Sequence, residues 1–255
     1  MIGFPFYLLH SKILNSSSGT RGHIENAEYM IGFAEKVVEY AYNEYLEDIA
    51  KLKANGKYTD ASPGTKVFLI GSSMGGNISL HVALRLKELI SGVILLAPML
   101  RIRAINPITR LFVNTTAEIF PMVEAIPVSK RIQYRCPTVR EECDRDKLKP
   151  YQEGDMIRLG TVRSLIEMVD TLEAKLEQIS IPCLVMVGDE DKTVDNGGAF
   201  DLVKKANSDD MTLKRYPALH GLMGEPSPLV DKMQEDMLNW LNERCDRNIF
   251  IRSSL

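Results

Sequence analysis

Gly71-Ser72-Ser73-Met74-Gly75-Gly76 is the stretch whose reading decides the fold. It fits Gly-x-Ser-x-Gly with Ser73 at the centre, whereas Ser72 has Ile70 and Met74 at the positions that would have to be glycine. The bare pattern turns up by chance in roughly one chain of this length in ten, so its surroundings must carry the weight. Residues 66–70 read as a buried strand and residues 77–89 as a helix, which gives the strand-turn-helix of a nucleophile elbow. At such a bend the serine is held in a sharp, strained turn, and a side chain on either flank would collide with the neighbouring strand or helix. The hydroxyl of Ser73 is then expected to project into open space. The helix starts at once, so the Met74 amide is expected to face an oxyanion forming on a carbonyl attacked by Ser73.

Working outward, residues 26–56 predict a long helix. Asn26 stands at its N-cap, Ile31, Ala34, Val38, Ala41, Tyr45, Ile49 and Leu52 recur at three- and four-residue steps, and Gly56 closes the run. Ahead of it, residues 4–9 read as a short strand and 15–22 as a loop; behind it, 57–65 is a turn-rich connection. Beyond the elbow helix, Ser91-Gly92 is expected to break the chain before the apolar run 93–97. Two such runs separated by a helix imply parallel strands and hence an α/β sheet. Residues 98–160 differ in character, being punctuated by Pro107, Pro121, Pro127, Pro137 and Pro150 and mixing apolar stretches with arginines. They are expected to form an insertion on the sheet. Regularity returns with a helix whose inner face is Val162, Leu165, Val169, Leu172, Leu176 and Ile179. A strand at 183–187, a helix from Asp195 or Asn196 to Ala206, and a strand at 212–216 follow. Ser227 as N-cap and Pro228 at the first position then open a last helix running to Arg244.

The bulk properties narrow the function. The chain has 255 residues, 45% hydrophobic and 25% charged, enough for one substantial core, and a net charge of −3 that offers no broad basic surface for nucleic acid. Cys136, Cys143, Cys183 and Cys245 are too scattered for a disulfide scaffold and lack metal-ligand spacing, so reduced thiols in an intracellular protein are expected. The apolar start, residues 1–9, is too short to span a bilayer and lacks the features of a signal peptide.

A serine hydroxyl needs a base, and the base needs an orienting group. Of the four histidines, His81 lies eight residues past Ser73 on the same helix, about 12 Å along its axis at ~1.5 Å per residue, out of reach. His10 and His23 precede the elbow in or beside loops. His220 follows the strand at 212–216 on a loop at a carboxyl end, where open α/β sheets place their sites. For the acid, Gly188-Asp189-Glu190-Asp191 follows another strand, with Asp195 four residues on. Position favours Asp191, in the turn with the freest reach, over Asp189 against the strand end, and Asp195 reads as a helix cap. The order Ser73, Asp191, His220 matches that of α/β hydrolases rather than either serine-protease type.

Together, residues 71–76, 93–98, 188–191 and 216–221 resemble the monoacylglycerol lipase-like serine hydrolases of the α/β-hydrolase superfamily, and residues 17–22 are similar to the family's loop before its second helix. The likeness runs from about residue 17 to residue 244. It implies an α/β-hydrolase fold, a mostly parallel sheet flanked by helices, with residues 1–97 and 161–255 as the core and 98–160 as a cap over an acyl-chain tunnel. It implies Ser73 as nucleophile, Asp191 as acid, His220 as base and Met74 as an oxyanion-hole donor, with no metal and no cofactor. The family also carries further strands before the residue-17 loop, one ending in His-Gly beside the second oxyanion donor. Here sixteen residues precede that loop, with His10-Ser11 at the corresponding place. The first strands are therefore expected to be missing and the Ser73 strand to form an exposed apolar edge.

The expected activity is hydrolysis of a monoacylglycerol or similar single-chain ester through an acyl-enzyme. A lysophospholipase or general carboxylesterase is the near alternative, and a weak or inactive homologue acting as a binding or regulatory protein is the alternative from another class. The expected location is cytoplasmic, with peripheral membrane contact through the cap. Leu111, Phe112, Val113, Ile119, Phe120, Met122, Val123 and Ile126 would supply an apolar face, and Arg101, Arg103 and Arg110 would flank it at an anionic interface.

Overall fold

A computed structural model describes residues 20–55, 66–103, 107–147 and 151–245. The expected strand at 4–9, most of the loop at 15–22, His10-Ser11, the connection at 57–65 and the end of the chain beyond residue 245 lie outside them.

The long first helix, α1 (Ala27–Ala54), starts where its cap predicts, with the Asn26 side chain accepting from the Glu28 amide at 2.7 Å. Among the described residues, four parallel strands follow in sequence, β1 (Val67–Ser72), β2 (Ile90–Leu96), β5 (Cys183–Gly188) and β6 (Met211–Tyr216), and lie side by side in the order β1-β2-β5-β6. The two central strands are buried along almost their whole length, whereas β1 and β6 are only partly covered. This explains why β2 and β5 read as unbroken apolar runs: helices cover both faces, so neither set of alternating side chains meets water. Val93, Leu95, Cys183, Val185 and Val187 pack on one face against Leu80 of α2 (Met74–Arg85) and Leu202 of α6 (Gly197–Lys205). Ile94, Leu96, Leu184 and Met186 point to the other, against Met233 and Trp240 of α7 (Leu229–Arg244). Helix α1 packs outside α2 and α5 (Leu159–Glu173) through Ala27, Ile31, Ala34, Ile78, Val82 and Met168.

Three boundaries differ from the sequence reading. Ser91 and Gly92 lie inside β2 and do not break it: the register shifts between Val67 and Phe68, and the Ser91 hydroxyl accepts from the Val67 amide at 3.2 Å. Glycine is needed at 92 because a methyl there would come 2.8 Å from the Trp240 ring. The helix expected to continue to Ile179 stops at Glu173, and Leu176 and Ile179 reach the same core from a short 3-10 turn, Leu176–Gln178. Pro228 occupies the cap position of α7, not its first turn, while the Ser227 hydroxyl bonds Asp231.

Residues 98–160 hold helices α3 (Pro107–Ile119) and α4 (Pro137–Arg145) and an antiparallel pair, β3 (Glu124–Pro127) with β4 (Met156–Arg158), separate from the main sheet. Val113 and Ala117 of α3 pack on Val162 and Ile166 of α5. Among the described residues no helix is long and apolar enough to cross a membrane.

Candidate active site

The site lies where the parallel ladder runs out. Ser73 follows β1 directly, its amide bonded to the Leu96 carbonyl at 2.9 Å and its carbonyl accepting from Gly76 and Met99 at 3.0 and 2.9 Å. Its backbone is left-handed, with φ 52° and ψ −117°, a conformation that costs a non-glycine residue about 1–3 kcal/mol. The glycines make this bend feasible: a methyl on Gly71 would lie 2.6 Å from the Ser79 hydroxyl, and one on Gly76 would lie 2.9 Å from Pro98. Met74 is the first residue of α2, so its amide has no intrahelical acceptor and is free by geometry to receive a developing negative charge.

The loops that carry Asp191 and His220 follow β5 and β6 and are zipped together beyond the strands. The Asp189 amide donates to the Tyr216 carbonyl at 2.8 Å, and that of Glu190 to the Ala218 carbonyl at 3.0 Å. Gly188 permits this approach, since a methyl there would lie 2.7 Å from the Leu219 carbonyl.

The two loops deliver Asp191 and His220 to Ser73. His220 Nδ1 lies 2.8 Å from Asp191 Oδ2, and His220 Nε2 lies 2.9 Å from Ser73 Oγ. Asp191 is buried, and its other oxygen accepts from the Thr193 and Val194 amides at 2.7 and 3.1 Å. Burial pushes its carboxyl pKa up, but the bonds to His220 and the two amides outweigh that and hold it below the ordinary carboxylate range. An ionised carboxylate only accepts, so Nδ1 carries the imidazole proton and Nε2 is left as the acceptor for the serine hydroxyl.

Asp189, Asp195 and His81 have other partners. Asp189 is exposed and pairs with Arg215 Nε at 2.8 Å, and Asp195 caps α6 by accepting from the Gly197 amide at 2.8 Å. His81 is buried with Nε2 3.1 Å from the Met168 carbonyl, and burial lowers its pKa, the behaviour of a core histidine. His10 lies outside the described residues. Sequence reasoning missed the side chains of Arg103, which donates to the Asp191 carbonyl at 3.2 Å, and of Arg135 and Glu225, which bond these loops. No periodicity marks them, because they sit in the proline-punctuated segment or in a loop.

The model of the family described as serine aminopeptidase, S33, matches residues 34–227, a span that contains Ser73, Asp191 and His220. The chain belongs to that family. As an S33 member it is a serine hydrolase on the α/β-hydrolase fold. Human monoglyceride lipase is 27% identical over 216 residues, 82% of this chain and 69% of that protein. The chain spans between 60% and 74% of the length of such curated relatives. The monoacylglycerol lipase of Paleococcus ferrophilus superposes with a TM-score of 0.67 at 20% identity, over 91% of this chain and 80% of that one. A soluble variant of monoglyceride lipase from Saccharomyces cerevisiae, in complex with a substrate analog, gives 0.71 at 20% identity, over 91% and 75%. At that identity the likeness is one of fold.

Proposed function

We propose that this S33 member is a serine esterase that hydrolyses monoacylglycerols or similar single-chain esters through an acyl-enzyme. The observation that carries the reading is the continuous chain from Ser73 Oγ through the His220 ring to a buried, ionised Asp191. Ser73 Oγ attacks the ester carbonyl carbon while His220 Nε2 takes its proton, and Asp191 stabilises the imidazolium without accepting a proton. The Met74 amide donates to the oxyanion. Collapse of the tetrahedral adduct breaks the bond to the alcohol oxygen, which leaves with the proton from His220. Water then attacks the acyl-Ser73 ester, giving one proton to His220. The carboxylic acid departs, and that proton returns to Ser73. The substrate class is supported by the lipase names of the relatives and by the exposed apolar residues of the segment from Ile108 to Phe120.

We take residues 98–160 as the cap of this enzyme. The outer face of α3 carries Ile108, Leu111, Phe112 and Ile119, all strongly exposed, with Phe120 following. These recur at helical spacing opposite the buried Val113 and Ala117, so the helix is apolar on both sides. An apolar face of this kind fits contact with a lipid surface that holds the substrate. The arginines expected to flank it are committed elsewhere: Arg101 pairs with Asp201 at 2.6 Å, Arg110 with Asp170 at 2.6 Å, and Arg103 with the Asp191 carbonyl. Attraction to lipid on this reading therefore rests on apolar area.

A fluorophosphonate probe tests the chemistry. Labelling of the wild type that disappears in Ser73→Ala, together with release of fatty acid from a monoacylglycerol, is the expected result. A folded wild-type chain that takes no label would overturn the esterase reading and favour a binding role.

A further inference from the structure

Three consecutive cap residues reach the acid and base loops together. The Gln133 carbonyl accepts from the Gly221 amide at 2.8 Å, immediately after His220. The Tyr134 ring lies so close over Gly221 and Gly224 that a methyl on either would collide with it. Arg135 then forks: its Nε donates to Glu225 Oε2 at 2.9 Å, and its Nη2 to Glu190 Oε1 at 3.0 Å and the Pro217 carbonyl at 3.4 Å. Glu225 has a side chain only 1% exposed, and its second oxygen accepts from the Leu219 amide at 2.6 Å.

The arrangement links both neighbours of the chemistry through one guanidinium. Glu190 adjoins Asp191, and Leu219 adjoins His220. A buried carboxylate is costly unless paired, and here its two oxygens are used on one cation and one backbone amide of the base loop. A planar fork with fixed donor directions sets an angle as well as a distance, which lysine cannot reproduce.

We propose that Arg135 and Glu225 are positioning residues that fix the His220 imidazole between Ser73 and Asp191, so that the cap sets the geometry of proton transfer. The inference rests on the esterase reading above. Neither residue touches the reacting atoms; each acts through the loop that carries His220. Misplacing a proton acceptor by about 1 Å costs on the order of 10²-fold in rate, without requiring any loss of substrate binding.

The test measures kcat and KM on a soluble short-chain p-nitrophenyl ester, the rate of fluorophosphonate labelling, and thermal stability, for the full chain and for Arg135→Ala, Arg135→Lys, Glu225→Gln and Ser73→Ala. The expected result is a fall of about 10- to 100-fold in kcat and in labelling rate for Arg135→Ala, with KM within about threefold. Glu225→Gln, which keeps an acceptor for the Leu219 amide, should fall less, and Arg135→Lys should recover only part of the loss. Folded Arg135→Ala that labels and turns over at the wild-type rate overturns the proposal, as does a full recovery by Arg135→Lys. If Arg135→Ala does not fold, the comparison passes to Arg135→Lys and Glu225→Gln: wild-type kcat in both, with only the melting temperature lowered, assigns a purely structural role and overturns it. Labelling that persists in Ser73→Ala would instead fail the esterase reading itself.

Discussion

Asp191, Asp189 and Asp195 lie within seven residues, yet the structure gives them three different partners: the His220 ring, Arg215, and the first amide of α6. Asp191→Asn should lower kcat by about three to four orders of magnitude, because an amide in place of the carboxylate lets the imidazole adopt the wrong tautomer. Asp195→Asn should stay within about twofold, since Asn caps a helix as well as Asp does. Asp189→Asn loses one exposed ion pair and should also be mild. Steady-state kinetics on the three variants checks the ranking, and a severe Asp189→Asn would move the acid. The cysteines offer a second residue-scale contrast. Burial pushes the Cys183 thiol up to about 12, while the Val139 amide holds the partly exposed Cys136 below its usual value. Iodoacetamide at pH 8 should therefore modify Cys136 early and Cys183 only after unfolding; mass spectrometry of native protein carrying alkylated Cys183 would contradict this. That Asp191 would reach His220 was legible from chain position because reach from a strand end is a local property. The positioning Glu225 was not, since its partner Arg135 lies ninety residues away and an isolated Glu in a loop carries no signal.

Elements whose two faces differ are the ones that sequence describes best. Helix α7 is one: Met233 and Trp240 enter the core, and the buried Asp236 on the same side accepts from the Tyr216 hydroxyl at 2.7 Å and from Lys232 at 3.0 Å. Burial pushes the Asp236 carboxyl up, but Tyr216 and the lysines outweigh it and hold it below its ordinary value. The unfolded chain then takes up that proton first as pH falls. The stability it contributes is complete above the unfolded pKa near ~3.9 and is lost as pH drops towards the lower folded value. Urea titrations between pH 3 and 6 should show the wild type losing more stability on acidification than Asp236→Asn; equal losses would remove Asp236 from the account. Helix α3 tests the cap in the same spirit. Phe112→Asp and Phe120→Asp should abolish flotation with neutral phosphatidylcholine vesicles, and wild-type binding should change little between low and high salt, because Arg101 and Arg110 are already ion-paired. Flotation that survives both changes, or that needs anionic lipid, would count against an apolar docking face. The pairing of Arg110 was not legible for a plain reason: a charge near an apolar run looks solvated until the acid it meets, Asp170, is brought over by the fold.

At the scale of the molecule, the two hydrophobic clusters share β2 and β5, so neither face of the sheet survives without the other. The single tryptophan, Trp240, meets Phe68 of β1 edge-on at 5.8 Å and so reports on α7, β1 and the sheet together. Its emission and the far-UV circular dichroism should trace one urea transition; an earlier dichroism phase would mean that residues 98–160 melt separately. The sheet was readable because burial on both faces leaves its central strands as unbroken apolar runs. The seating of residues 98–160 was not, because it depends on charged side chains meeting partners far along the chain.

The joint made by Gln133, Tyr134 and Arg135 bears on how such enzymes can be re-engineered. Exchanging caps between related hydrolases is an obvious route to new substrate preferences, with graft points at the ends of the insertion near residues 98 and 160. Here that cut would carry away the residues that brace the His220 loop. A chimera built to keep residues 130–137 with the recipient scaffold should tolerate a foreign cap where a whole-insertion swap does not.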